Sequence, residues 1–83
     1  MTAAEHFDWA VGRAMEYVDM GDGGSALASL VSDLNKHPRT AHILTAELQA
    51  LFMGEVIIGG ALGARRFIEG LPRPPAPPKG QQP

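Results

Sequence analysis

Cysteine is absent from the 83-residue chain, and aromatic residues make up only 6% of it. Without cysteine the protein can form neither a disulfide framework nor a thiolate zinc site. A domain of this length buries a small core, so its stability depends on good packing and on local hydrogen bonds. The sequence therefore predicts one domain with a thin margin of stability.

Long apolar runs are also missing. The nearest candidate, residues 48–64, contains Gln49 and Glu55 and is interrupted by three glycines. A membrane span needs about 20 predominantly apolar residues. The first six residues lack the basic start and continuous apolar run of a secretory signal. We therefore expect no membrane association and a cytoplasmic location.

Charge is small in sum but unevenly distributed. The net charge of −2 divides into −5 over residues 1–33 and +3 over residues 34–83. A nucleic-acid-binding domain usually carries a clearly basic face, so binding to DNA or RNA is disfavoured. The asymmetry instead favours packing between the two halves or the steering of a protein partner.

Apolar residues at the start of the chain recur with the period of an α-helix, about 100° per residue. The spacing predicts a helix over residues 3–20 whose core stripe consists of Phe7, Val11, Ala14 and Val18. A second face collects the acidic residues Glu5, Asp8, Glu16 and Asp19. The third face carries His6, Trp9, Arg13, Tyr17 and Met20.

A glycine-rich segment, residues 21–25, predicts a turn in which Asp22 or Ser25 caps the next helix. That second helix should end near His37, since Pro38 disfavours helical geometry in the residue before it. Its predicted inward residues are Leu27, Leu30, Val31 and Leu34. Its predicted outward residues are Ser29, Ser32, Asp33 and Lys36.

The third helix can begin at either of two capping residues, Thr40 or Thr45, and should run to about residue 58. Its predicted stripe consists of Leu44, Leu48, Leu51 and Phe52. A break at Gly59 and Gly60 should lead to a short fourth helix from about residue 61, with Ala64, Phe67 and Ile68 on one side. Gly70, in a left-handed conformation before Leu71 and Pro72, is the expected end.

These patterns predict an all-α fold, a small bundle of three to four helices over residues 1–71. The remaining residues, 72–83, form a Pro-rich tail that we expect to be disordered or extended, because proline removes backbone donors and favours polyproline II geometry.

Three residues of the first helix, Trp9, Arg13 and Tyr17, recur every four positions opposite the aliphatic stripe. Tryptophan, tyrosine and arginine dominate the energetically important positions of protein interfaces. The spacing therefore indicates a partner-binding face. The alternative is that Trp9 closes the small core from a second side.

Glu55 falls inside the apolar stripe of the third helix, where an unpaired buried carboxylate would be costly. One interpretation is that the helix bends away there, or that Arg65 or Arg66 forms a salt bridge with Glu55 across the glycine break. The other is that Glu55 is a polar anchor inside a partner's groove.

Enzymatic and metal-binding patterns are sparse. His37 and His42 are separated by Pro38 and do not share a helical face, and His6 is remote from both. The glycine-rich residues 19–24 lack the Gly-Lys-Ser/Thr ending of a phosphate loop and the twelfth-position glutamate of a calcium loop. We therefore expect no catalytic residues, no metal and no cofactor.

Three stretches carry a resemblance, namely Arg13–Asp19, Ser29–Pro38 and Ala64–Gly70. They resemble small hypothetical proteins carried by actinobacteria and their phages and prophages, over most of residues 10–71. That group has no established activity, so the resemblance implies a setting and no catalytic residue. It implies a phage or prophage protein that works by binding a host target or other virion components.

The sequence as a whole favours a non-catalytic protein–protein interaction module that presents Trp9, Arg13 and Tyr17. One alternative is a structural component of a phage particle, with the tail as an extended arm along neighbouring subunits. Another is a weak nucleic-acid-binding protein that uses Lys36, Arg39, Arg65 and Arg66.

Overall fold

The computed structural model describes residues 1–75, which form three α-helices and no β-strand: α1 (Ala3–Asp19), α2 (Gly23–Leu34) and α3 (Ala46–Glu69). The predicted all-helical class is confirmed. The core is formed where α2 packs against both α1 and α3, and its buried side chains include Phe7, Ala14, Leu30, Leu34, Phe52 and Ile68.

The start of α1 and the turn that follows it use local hydrogen bonds. Thr2 and Glu5 form a capping box, in which the Glu5 N–H donates to Thr2 Oγ1 and the Thr2 N–H donates to Glu5 Oε1. The bond from the Thr2 N–H to the carboxylate lowers the pKa of Glu5. Gly21 has a φ of 78°, and Asp22 caps α2 by accepting the Ser25 N–H at 2.9 Å. The predicted tight turn is present.

The connection between α2 and α3 shows which of the two threonines caps the third helix. Thr45 caps α3, since its hydroxyl accepts the Leu48 N–H at 3.2 Å. Thr40 is buried and donates its hydroxyl to the Leu34 carbonyl at 2.7 Å, which satisfies a carbonyl at the end of α2. Thr40 therefore stabilises the connecting turn rather than starting a helix.

The chain reverses direction inside α3 at Gly60, whose φ of 58° and ψ of −139° lie outside the helical region. Phe52 and Phe67 stack with ring centroids 4.5 Å apart, whereas 15 positions along a straight helix would separate them by roughly 22 Å. Residues 46–59 and 61–69 must therefore lie side by side. This reversal is the break that the paired glycines predict.

The two segments approach each other most closely at Gly63. A Cβ atom at this position would overlap the backbone carbonyl of Glu55. Glycine is therefore required at position 63 by space, whereas at position 60 it is required by backbone angles.

Two predictions about α3 are wrong, one about its packing and one about its end. Leu51, placed in the core by its spacing, is 61% exposed; residues 46–59 contact the rest of the domain through Leu48, Phe52 and Val56, and Leu51 lies to one side of that stripe. Gly70 ends the helix with a φ of −87° rather than in the left-handed region, and its N–H bonds to the Arg66 and Phe67 carbonyls.

By length and composition α3 is the one helix of residues 1–75 that could cross a membrane, and only 11% of its most apolar window is buried. Core helices and signal sequences can have the same composition, so this is weak evidence. The reversal at Gly60 shortens the straight part of the helix to residues 46–59.

After α3, Arg73 forms a two-pronged ion pair with Asp8, with Nε–Oδ1 and Nη2–Oδ2 distances of 2.9 and 2.8 Å. The bonds from the guanidinium lower the pKa of Asp8 and raise that of Arg73. The first residues of the predicted tail are therefore held against α1. The rest of it, residues 76–83, lies outside the described part of the chain.

Candidate protein-interaction surface

Asp33, near the end of α2, is 1% exposed, although its spacing predicts an outward position. Burial is tolerated because both carboxylate oxygens have partners. Arg13 Nε lies 2.8 Å from Oδ2, and Lys36 Nζ lies 3.0 Å from Oδ1. The Ser29 hydroxyl donates a longer bond, 3.5 Å, to Oδ2. Asp33 thus joins α2 to α1 through Arg13, and it also holds Lys36 in place.

Trp9 lies beside these cations and is 38% exposed. The guanidinium carbon of Arg13 is 5.0 Å from the centre of the indole, and Lys36 Nζ is 5.7 Å from it. Both distances fall within the range of cation–π attraction. The indole is therefore neither a core side chain nor a freely moving surface group, because polar neighbours hold it in place.

His6 is buried beneath Trp9, and its Nε2 lies 2.6 Å from the Asp33 carbonyl oxygen, with which it forms a hydrogen bond. Its ring is 5.4 Å from the indole and 5.2 Å from the His37 ring. His6 is thus a buried histidine, neither a surface side chain nor a helix cap. Its position on the third face of α1 turns it toward α2.

Tyr17 continues this face one helical turn after Arg13 and is partly buried against the core. Together with Arg13 and Lys36 it lines a shallow groove of about 310 Å³, whose remaining wall includes Ser25, Ser29 and Ser32. The three predicted partner-binding residues are thus brought to one surface. We call Trp9, Arg13, Tyr17 and Lys36 the Trp9 surface.

The sequence pattern predicts Asp33 and Lys36 only as outward polar residues of the second helix and does not assign them to this surface. The available signal was their spacing: Asp33 precedes Lys36 by three residues, which places opposite charges side by side on a helix. Ser29, four residues before Asp33, falls on the same line.

The second set of predicted site residues is only partly brought together. Glu55 is exposed, and within residues 1–75 no ion pair joins it to Arg65 or Arg66. Arg65 instead binds Asp19, at the end of α1, with a distance of 2.8 Å. The predicted salt bridge is absent because the reversal at Gly60 directs Arg65 toward α1.

Glu55 and Arg66 nevertheless line one groove of about 510 Å³. Leu48, Phe67, Gly70, Leu71 and Pro72 form the rest of its wall. The lining combines apolar residues with one acidic and one basic residue. A groove on this chain differs from the second interpretation of Glu55, in which Glu55 enters a groove of the partner.

The four basic residues considered for nucleic-acid binding do not form a free cationic patch. Lys36 and Arg65 are engaged by Asp33 and Asp19. Within residues 1–75 no group of three or more histidine, aspartate or glutamate side chains could hold a metal ion.

Comparison with protein-family models, curated proteins and solved structures yields no match to this chain.

Proposed function

We propose that the chain is a non-catalytic protein-interaction module that binds its partner through the Trp9 surface. The observation that supports this function best is the partly exposed indole, held beside two cations that a buried carboxylate fixes in place. A side chain that is already immobilised loses little conformational entropy on binding. Rigid aromatic residues beside arginine are typical of the centres of protein interfaces.

The charges on this surface indicate the chemistry of the partner. Arg13 and Lys36 share the single carboxylate of Asp33, and their side chains remain 48% and 57% exposed. One positive charge is therefore uncompensated within the cluster. An acidic segment of a protein would bind here, with the indole as its apolar contact.

The neighbouring groove supports an extended segment as the ligand. Ser25, Ser29 and Ser32 line it beside Tyr17 and can supply hydrogen bonds to a polypeptide. The setting that the sequence resemblance implies belongs to the same proposal, namely a phage or prophage protein that binds a host protein in the cytoplasm.

The test uses capture of proteins from an actinobacterial lysate on the immobilised full-length chain, followed by titration of each purified captured protein. Trp9→Ala should weaken binding at least about 30-fold, as expected for the loss of an interface tryptophan worth about 2 kcal/mol. Raising the salt concentration should also weaken binding, since the proposed partner is acidic.

Leu62→Ala is the control, because Leu62 is a large apolar residue of α3 that is 57% exposed and lies outside the Trp9 surface. It should leave binding unchanged. Equal affinities of the Trp9→Ala variant and the parent chain for every captured protein would disprove the proposal. Loss of the folded state in Trp9→Ala, measured by circular dichroism, would show that Trp9 serves to stabilise the fold and not to bind a partner.

A further inference from the structure

The side of α3 that faces away from the core is apolar over residues 50–58, and Glu47 lies on the same side in the first turn. Ile57 and Ile58 are 75% and 89% exposed, and Leu51 and Met53 are 61% and 49% exposed. On a helical wheel these four residues surround a line of small positions. We call the seven residues the outer face of α3: Ala46, Ala50, Leu51, Met53, Gly54, Ile57 and Ile58.

Uncovered apolar surface of this kind is uncommon on a domain of this size. The four large side chains alone expose roughly 500 Å² of apolar surface, which is at the upper end for a monomeric protein. Within residues 1–75 no other segment packs on them. The surface therefore needs an occupant.

We infer that the occupant is a second copy of the chain, bound through the same outer face with the two α3 helices antiparallel. Two such faces would bury about 1,000 Å² in total, which reaches the lower limit for a specific interface. The inference is independent of the Trp9 surface, which lies on α1 and α2.

The shape of the face complements itself in this orientation. Ala46, Ala50 and Gly54 follow one another every four residues, and Ile58 ends the same row. With the two-fold axis at Gly54, Ile58 of one copy lies opposite Ala50 of the other, and Ile57 lies opposite Leu51. A parallel pair would instead oppose Ile58 to itself.

Charge favours the same arrangement. The charged residues of 46–59 are Glu47 and Glu55, both acidic. On the helical wheel Glu47 lies between Gly54 and Ile58, in the first turn of α3, and Glu55 lies at the edge of the face beside Leu51. A parallel pair would place Glu47 beside its counterpart, whereas the antiparallel pair separates the two by about 20 Å along the axis. These two acidic residues also disfavour an anionic lipid surface, which attracts lysine and arginine.

The first experiment measures the molecular mass of the full-length chain by sedimentation equilibrium over a wide range of protein concentrations. We expect a monomer–dimer equilibrium. Ile58→Glu should raise the dissociation constant at least 100-fold, because it places a charge against the partner's Ala50, and should leave the helical content unchanged. Met20→Glu, at an exposed apolar position outside α3, is the control and should leave the constant unchanged.

The second experiment tests the orientation and exploits the absence of cysteine from the chain. Gly54→Cys should form an intermolecular disulfide rapidly under mild oxidation, because the two copies meet at this position and a Cβ there has free space. Glu47→Cys should not, because its sulfur atoms would be too far apart.

A chain that stays monomeric at the highest concentration would overturn the inference, as would equal dissociation constants for Ile58→Glu and Met20→Glu. Rapid cross-linking of Glu47→Cys would overturn the antiparallel arrangement. A monomer that sediments with phosphatidylcholine–phosphatidylglycerol vesicles, and loses this binding in Ile58→Glu, would assign the outer face to a lipid surface instead.

Discussion

On the α1–α2 side of the domain, Asp33 binds two cations with its two carboxylate oxygens, whereas on the outer face of α3 large apolar side chains meet no other described part of the chain. On the first side, the free-energy cost of burying a carboxylate is already offset by ion pairs within the domain. On the second side, apolar side chains remain in contact with water, and a partner could cover them. The difference shows that one small domain can satisfy its buried charges on one side and leave apolar surface uncovered on the other.

The reversal at Gly60 allows this difference, because residues 61–69 cover one side of residues 46–59 and leave the opposite side open. Gly63→Ala should therefore have the largest effect. Its methyl group would overlap the Glu55 carbonyl, and separating the two segments would also break the Phe52–Phe67 stack. We expect a loss of more than about 4 kcal/mol, a large part of the stability of such a domain.

Thermal unfolding followed by circular dichroism measures this loss, and Gly12→Ala is its control. Gly12 lies inside α1 with open space around it, so alanine there should stabilise the domain by about 0.5–1 kcal/mol. Equal unfolding temperatures for the two variants would show that the close approach of the segments is not essential.

The next effect compares two neighbouring residues on opposite sides of α3. Phe52 is fully buried, so Phe52→Ala should cost about 3–5 kcal/mol, whereas Leu51→Ala, at a mostly exposed position, should change the stability by less than about 0.5 kcal/mol. Urea unfolding at a concentration where the chain is monomeric measures both. A large loss in Leu51→Ala under these conditions would show that the outer face is covered within the monomer.

On the α1–α2 side, Asp33→Asn should cost about 1–3 kcal/mol, because the buried group would lose its charge-assisted bonds to Arg13 and Lys36. The cost should be moderate, since both cations are half-exposed and can be solvated. Urea unfolding measures it, and Ser32→Ala is the control at an exposed position of the same helix. An unchanged urea midpoint in Asp33→Asn would mean that Asp33 orients Arg13 and Lys36 without stabilising the fold.

The smallest expected effect is the dependence of stability on acid pH. Hydrogen bonds in the folded state lower the pKa values of Asp8, Asp22 and Glu5 below their ordinary values of 3.8, 3.8 and 4.5. The stability they contribute is fully present above the ordinary values and is lost as the pH falls from about 4.5 through the folded pKa values. Salt should weaken the contribution, since all three groups are exposed.

Urea midpoints at pH 6 and pH 3 measure this dependence. Asp8→Asn, which cannot be ionised, should show a smaller difference between the two pH values than the parent chain. The same difference in both proteins would mean that the Asp8–Arg73 pair contributes no pH-dependent stability.

Much of the fold could be predicted from local signals. The capping residues, the turn at Gly21 and the break at the paired glycines all depend on a few adjacent residues, and each is present in the structure. The packing side of α3 could not be predicted in the same way. Residues 46–59 are apolar on both sides, so periodicity alone does not distinguish the covered side from the open one.

The candidate site shows the same limit. The spacing of Trp9, Arg13 and Tyr17 correctly placed three residues on one surface, because a single helix positions them. Asp33 lies on α2 and Lys36 follows the end of that helix, and Arg65 reaches Asp19 only because the chain reverses at Gly60. Such contacts depend on how helices meet, which no local pattern records.

The ion pair between Asp8 and Arg73 has a practical consequence for rearranging the gene. It holds residue 73 beside the second turn of α1, on the order of 10 Å from the residue that begins that helix. A short linker from the region after residue 73 to residue 1, with new termini at the exposed turn around Gly21, should give a circular permutant that keeps all three helices. Such a permutant would present fused proteins from the opposite end of α1.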